Sequence, residues 1–188
     1  MAFLRAFGSY LPSRVVTSEE IGARVGATAE WIRNVSGIEE RRFASSGESV
    51  ADMGARAAED CLQRAGAAPA EVGLLLVASG SSERRFPGPA ASVAARLGLT
   101  ETPAIDLPMA SAGSLFALAL AGRLAAAHGN VLVVAAEKMS SVVMHEPLDR
   151  ATAVLFGDGA GACLVSADRG VARIVDCSLS TDGSFAED

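Results

Sequence analysis

The sequence predicts an α/β fold with a mixed, mostly parallel sheet. Two apolar runs, residues 72–78 and 131–136, are continuous rather than alternating, as in strands buried on both faces. Segments with apolar residues at three- and four-residue spacing stand between such strands. The order is strand, helix, strand, helix, strand, helix, strand, then further strands, which fits right-handed crossover connections.

Each element has its own local reason. Residues 2–7 read as a strand. Thr17-x-x-Glu20 is a capping-box pattern that starts a short helix near Ile21. A second short helix carries Trp31 and Ile32 and ends near Gly37. From Ser46 to Ala65 the pattern is amphipathic: Val50, Met53, Ala57, Cys61, Leu62 and Ala65 share a face, and Gly66 is the stop. After the strand at 72–78 comes a loop through Ser79–Ser82 and Arg84-Arg85-Phe86-Pro87-Gly88-Pro89. A helix follows from about Ala90 to Leu97, then a short strand at 104–107. The helix after Ser111 runs to about Ala127 and is apolar nearly all round, which predicts a central, buried position. Gly129 ends it. Segments 153–156 and 162–165 flank a glycine-rich turn, and 171–179 reads as a last strand.

Bulk properties narrow the function. The chain has 188 residues, the size of one domain or one half of a larger one. Half of the residues are apolar and 5% aromatic, so the core is built mainly from Ala, Val and Leu. A net charge of −6 without a basic run argues against a nucleic-acid partner. No apolar run reaches the length of a membrane span, and the N-terminus lacks a signal-peptide pattern. The expectation is a cytoplasmic protein without a membrane segment. Cys61, Cys163 and Cys177 are odd in number and form no CxxC pair, so buried free thiols are expected.

The segment Ile105-Asp106-Leu107-Pro108-Met109-Ala110-Ser111-Ala112-Gly113 is the most informative. A short strand runs through small residues into a long helix. Such an elbow presents one side chain at the positive end of a helix, a place suited to a nucleophile. Ser111 occupies it. On spacing alone, an ordinary N-cap is the better reading of Ser111. The glycine run Phe156-Gly157-Asp158-Gly159-Ala160-Gly161-Ala162 precedes a strand-like segment, not a helix, which favours a tight turn over a phosphate cradle. His128 and His145 have no metal-ligand spacing, so no metal is expected, and surface roles suit both. A serine hydrolase using His145 is a further reading. Trp31 reads as packing or as a stacking surface for a planar ligand, and Arg84-Arg85-Phe86 as a solvated loop or a pocket lip.

Taken together, the segments resemble the N-terminal half of β-ketoacyl-acyl-carrier-protein synthase III enzymes, of the thiolase-like superfamily. The resemblance rests on Gly8-Ser9-Tyr10-Leu11-Pro12, on Glu30-Trp31-Ile32 with Ser36-Gly37-Ile38-Glu39-Glu40-Arg41, and on Phe86-Pro87. It continues through Ala110-Ser111-Ala112-Gly113, Asp149-Arg150, the glycine run and Asp182-Gly183-Ser184, in the family's order along essentially the whole chain. It implies that residues 1–188 are an N-terminal thiolase-like domain, one half of a layered αβαβα fold whose C-terminal half is absent from this sequence. It implies an acyltransferase that condenses or transfers an acyl group from acyl-CoA, with acyl carrier protein as partner, in fatty-acid or polyketide synthesis. No cofactor is implied, since acyl-CoA is the substrate. Ser111 takes the acyl-carrying position, and its own amide joins the oxyanion hole. Trp31 and Arg150 match the pair that sandwiches the CoA adenine. Phe86 matches a residue that reaches the acyl pocket across a homodimer interface.

The sequence departs from the family in three places. Ser111 stands where the family has a nucleophilic cysteine. The family's catalytic His and Asn lie in the second half. Val35 replaces an arginine that helps hold CoA phosphates, and Arg33 lies on another face of that helix. Two readings therefore stand: an acyltransferase half that is incomplete alone, and a non-catalytic subunit that dimerises with an active synthase.

Overall fold

The two continuous apolar runs form the centre of a six-stranded sheet in the computed structural model, which describes residues 1–185. The expected domain runs to residue 188, so its last three positions lie outside the described residues. In chain order the elements are β1 (Ala2–Tyr10), β2 (Arg14–Thr17), α1 (Ser18–Val25), α2 (Ala29–Ser36), β3 (Glu40–Phe43) and α3 (Val50–Ala65). Then come β4 (Val72–Ala78), α4 (Pro89–Arg96), β5 (Ala104–Leu107), α5 (Gly113–His128) and β6 (Asn130–Lys138). The last are α6 (Ser140–Val143), α7 (Arg150–Ala153), β7 (Asp158–Ser166) and β8 (Ala172–Ile174).

The strand order is β5-β4-β6-β7-β1-β8. β5, β4 and β6 pair in parallel, whereas β7 is antiparallel to both β6 and β1, and β8 is antiparallel to β1. Four strands thus share one direction, and the expected mixed, mostly parallel sheet is observed. Side chains alternate between faces along each strand. Leu132 and Val134 of β6 join a cluster with α3 and α4, while Val131 and Val133 join a cluster with α5. The layers are therefore α3 and α4, the sheet, and α5.

Local chemistry explains the element ends. Ser49 and Asp52 form a reciprocal capping box at the start of α3, and Gly66 closes it with a φ of +58°. Thr17 caps α1 by accepting the Glu20 amide, and Thr28 caps α2 by accepting the Trp31 amide. A third, smaller cluster holds Val16, Ile21, Ile32, Phe43 and Val154. The two-stranded β2–β3 sheet belongs to it. Buried Arg41 ties it together: its guanidinium donates to the Val16 carbonyl (3.4 Å), the Ser18 hydroxyl (3.3 Å) and the Val154 carbonyl (3.0 Å). Burial lowers the pKa of Arg41 from its ordinary value.

The structure corrects several expectations. The β2–β3 pair was not anticipated from the sequence pattern. The glycine run is not a turn between two strands: Gly159 and Gly161 lie within β7, and Ala153 ends a helix. A Cβ on Gly159 would lie 3.2 Å from the Leu11 side chain, so close approach rather than chain reversal requires the small residue. The last strand is limited to β8, three residues long. α5 is not buried all round. Ala117, Ala121 and Ala125 face the sheet, whereas Leu115 is 63% exposed and Leu120 also faces outward. Apolar composition alone does not say which neighbour covers a face.

Candidate functional site

Between β5 and α5 the chain turns sharply. The Met109 amide donates to the Leu107 carbonyl at 2.8 Å, and the Gly113 amide to the Ala110 carbonyl at 3.2 Å. Ser111 sits at the corner with a φ of +51°, the only positive φ of a non-glycine among the described residues. That conformation costs an L-residue roughly 1–2 kcal/mol. The preference for an N-cap at Ser111 is overturned. The cap position is Ala112, without a side-chain bond, and α5 begins at Gly113. The corner presents Ser111 instead of folding it back on the helix, and the residue is exposed. Gly113 permits the tight packing beneath, since a Cβ there would lie 3.1 Å from the Met109 side chain and 3.2 Å from that of Ala78.

Ser111 opens into a cavity of about 300 Å³ lined also by Leu11, Ala78, Met109, Ser114, Ala135, Glu137, Gly159, Ala160 and Gly161. Glu137 is the only titratable side chain on that wall. Strand parity places it there: Val131 and Val133 face α5, so Ala135 and Glu137 continue on the same face. Its carboxylate is already engaged. Oε1 accepts from the Gly80 amide at 2.9 Å. Oε2 accepts from the Ser81 amide at 2.9 Å, from the Ser81 hydroxyl, and from the Ser79 hydroxyl at 3.5 Å. Sequence reasoning missed Glu137, and the parity of β6 was the signal that could have found it. A somewhat larger cavity, about 330 Å³, lies between the start of α3, the 82–88 loop and the start of α4. Its wall does not include Ser111, and two of its cations are engaged: Arg96 pairs with Asp52 at 2.7 Å, and Lys138 donates to the Ser45 and Glu48 carbonyls.

No histidine or thiol lines the Ser111 cavity. His145 is exposed, and its Nε2 contacts the Ser141 carbonyl. Cys61 and Cys163 are buried; burial pushes their thiols up to about 11 and about 12. Cys177 is only half-buried and accepts a hydrogen bond from Arg123 at 2.9 Å, so the expected burial fails for that thiol.

The second feature is at the surface. The Arg150 guanidinium lies over the Trp31 ring, 3.8 Å from its centroid, in cation–π geometry. The small cluster brings the two together. Trp31 on α2 packs partly against it, and Val154, just after α7, is one of its buried members. Asp149 fixes Arg150 as the first residue of α7, accepting from the Ala151 and Thr152 amides at 3.1 Å each. The Thr152 hydroxyl and the two amides hold the Asp149 carboxyl below its ordinary pKa. Nearby cations are paired: Arg24 with Glu146 (3.5 Å) and Arg33 with Glu39 (3.2 Å). Val35 is 56% exposed. Phe86 is 92% exposed on the loop between β4 and α4. Neither Phe86 nor the Trp31–Arg150 pair lines the Ser111 cavity, so the sequence-derived residues fall at three separate places.

Residues 105–183 match the 3-oxoacyl-[acyl-carrier-protein (ACP)] synthase III family. A β-ketoacyl-[acyl-carrier-protein] synthase III of Chlamydia caviae is 40% identical over 99% of this chain and 56% of that protein. Among solved structures, the 3-oxoacyl-(acyl carrier protein) synthase III of Pseudomonas aeruginosa superposes with a TM-score of 0.88. It is 32% identical, over 97% of this chain and 56% of the other. The priming β-ketosynthase of the R1128 polyketide biosynthetic pathway gives a TM-score of 0.85 at 35% identity, over 90% of this chain and 51% of the other. The chain thus spans a little over half the length of the curated relatives it matches. The resemblance carried by the motifs extends through the fold: nearly the whole of this chain is similar to a little over half of these synthase III proteins.

Proposed function

We propose that this chain is the acyl-accepting half of a synthase III-type acyltransferase that primes fatty-acid or polyketide synthesis. Ser111 receives the acyl group from acyl-CoA. Its Oγ bonds to the thioester carbonyl carbon, the carbon–sulfur bond breaks, and CoA leaves as the thiol. The serine proton passes through a base to the departing sulfur, and the amides at the elbow hold the transient oxyanion. Glu137 is not that base, because its oxygens are committed to the 79–81 loop. In this chain alone that base is solvent water and the transfer is slow; the family's histidine and asparagine, on the second half, work on the carrier-bound extender. Trp31 and Arg150 take the adenine of CoA between them, and Phe86 contributes to the acyl pocket of a dimer mate. The half works in the cytoplasm and needs no cofactor.

The observation that carries this reading is Ser111 itself: an exposed hydroxyl on a strained corner, over a cavity, at the start of α5. Exposed Ile105, Met109 and Leu115 around the same corner suit coverage by a dimer mate or a second half. The absence of a free base from the described cavity wall favours a second reading, a non-catalytic subunit that dimerises with an active synthase. Intact-mass spectrometry after hours with short acyl-CoAs separates them. The acyltransferase gains the acyl mass and loses that gain in Ser111→Ala. No adduct with any acyl donor, together with tight binding to an active synthase, supports the subunit.

A further inference from the structure

The loop after β4 is pressed onto the elbow. A Cβ on Gly80 would lie 2.6 Å from the Ala110 Cβ and 2.9 Å from the Ala110 nitrogen, so the Gly80 backbone rests directly against the residue before Ser111. The loop is also tied to the strand beneath the elbow, because the Ser79 amide donates to the Leu107 carbonyl at 3.1 Å. What holds the loop in place is Glu137. Its two oxygens take the Gly80 and Ser81 amides at 2.9 Å each, and the Ser81 hydroxyl in addition. The Ser81 hydroxyl accepts in turn from the Lys138 amide at 2.7 Å, which closes the network onto β6. No Lys or Arg nitrogen lies within ion-pair distance of the Glu137 carboxylate among the described residues. Its hydrogen-bond partners are N–H and O–H donors of the loop, and donors to a charged oxygen bind about twice as strongly as to a neutral one.

We propose that Glu137 is a positioning residue: through the 79–81 loop it clamps Gly80 against Ala110 and thereby holds Ser111 at its strained angle over the cavity. The strain at Ser111 persists only if the surroundings over-determine it. The loop is the part of those surroundings that another element locks from outside the elbow. Glu137→Gln keeps the shape but turns an NH₂ toward one of the two amide donors, so one bond becomes a donor–donor conflict. Glu137→Asp keeps the charge and both acceptors on a shorter stem.

This inference rests on Ser111 as the acyl acceptor only for its rate consequence, so two readouts are needed. Hydrogen exchange of the 188-residue chain comes first. Glu137→Gln is expected to speed exchange at residues 80–81 and also at 110–113, while β6 and β7 keep their protection and report an intact fold. Glu137→Asp restores part of both. Faster exchange at 80–81 with 110–113 unchanged would overturn the clamp. The second readout is the rate of the Ser111 mass adduct with acetyl-CoA. A displaced nucleophile costs up to about 100-fold in rate. Glu137→Gln should slow the adduct by a factor approaching that, with the half-saturating donor concentration unchanged. An equal rate overturns the clamp. If the unmutated chain forms no adduct, the acyl-acceptor reading fails, and exchange at 110–113 alone decides the clamp.

Discussion

The Ser111 elbow stands on β4, β5 and β6, whereas the Trp31–Arg150 pair stands on α2 and α7, helices of eight and four residues. Beneath the elbow, Leu75, Leu76, Val77, Val133 and Val134 are buried and cross-bonded in parallel register. Beneath the pair lies a cluster of five buried apolar residues and one buried arginine. The elbow stores backbone strain, and the pair stores only a stacked contact between side chains. Placing a reacting atom demands accuracy of a fraction of an ångström, and strands locked on both faces supply it. A 3.8 Å stack leaves no room for a third ring. A planar ligand therefore needs Arg150 to move, which a short, exposed helix allows.

This contrast can be broken most severely from the core. Leu75→Ala removes a fully buried side chain and should cost about 2–5 kcal/mol, lowering the thermal midpoint for the whole chain. Ile32→Ala makes a similar deletion in the small cluster. It should open α1, α2 and the β2–β3 pair locally, read as faster hydrogen exchange there, with β4 and β6 still protected. Equal loss of protection everywhere would mean that the two regions are one cooperative unit.

A smaller effect sharpens the surface side. Arg150→Ala should remove about 0.5–1 kcal/mol of cation–π stabilisation. Trp31 is the only tryptophan, so its fluorescence reports the change directly. Affinity for acyl-CoA should fall, while exchange at residues 110–113 stays as it was. The smallest effect is set by pH. Asp149 has a lowered pKa in the folded chain. Its cap therefore stabilises α7 above the ordinary carboxylate range, and that stability is lost as pH falls through the lowered value. Trp31 emission should shift in this acidic window, and Asp149→Asn should abolish the pH dependence.

Much of the frame was legible in the residues. The uninterrupted apolar runs gave away β4 and β6, and the spacing from Val50 to Leu62 with Gly66 gave away α3. The β2–β3 pair was hidden because its strands are four residues long, far apart in sequence, and carry Glu40, Arg41 and Arg42. Only the fold shows that Arg41 is buried against carbonyls. Gly159 of β7 looked like part of a turn because its constraint is a neighbour, the Tyr10 carbonyl and the Leu11 side chain, rather than a dihedral angle. Ser111 was singled out by its strand–small–helix setting, but the same setting suits a cap. The positive φ that separates the two is a property of the folded corner, and the Glu137 network depends on a loop 57 residues away in sequence.

The most direct test of the elbow as a place built for a nucleophile is to put a thiol there. In Ser111→Cys, exposure and the start of α5 should lower the thiol pKa. With iodoacetamide at neutral pH, the peptide containing position 111 should be labelled well ahead of those containing Cys61, Cys163 and Cys177, and acetyl-CoA should leave an acetyl group on it. Labelling at position 111 no faster than at Cys177, with no acetyl transfer, would contradict the account.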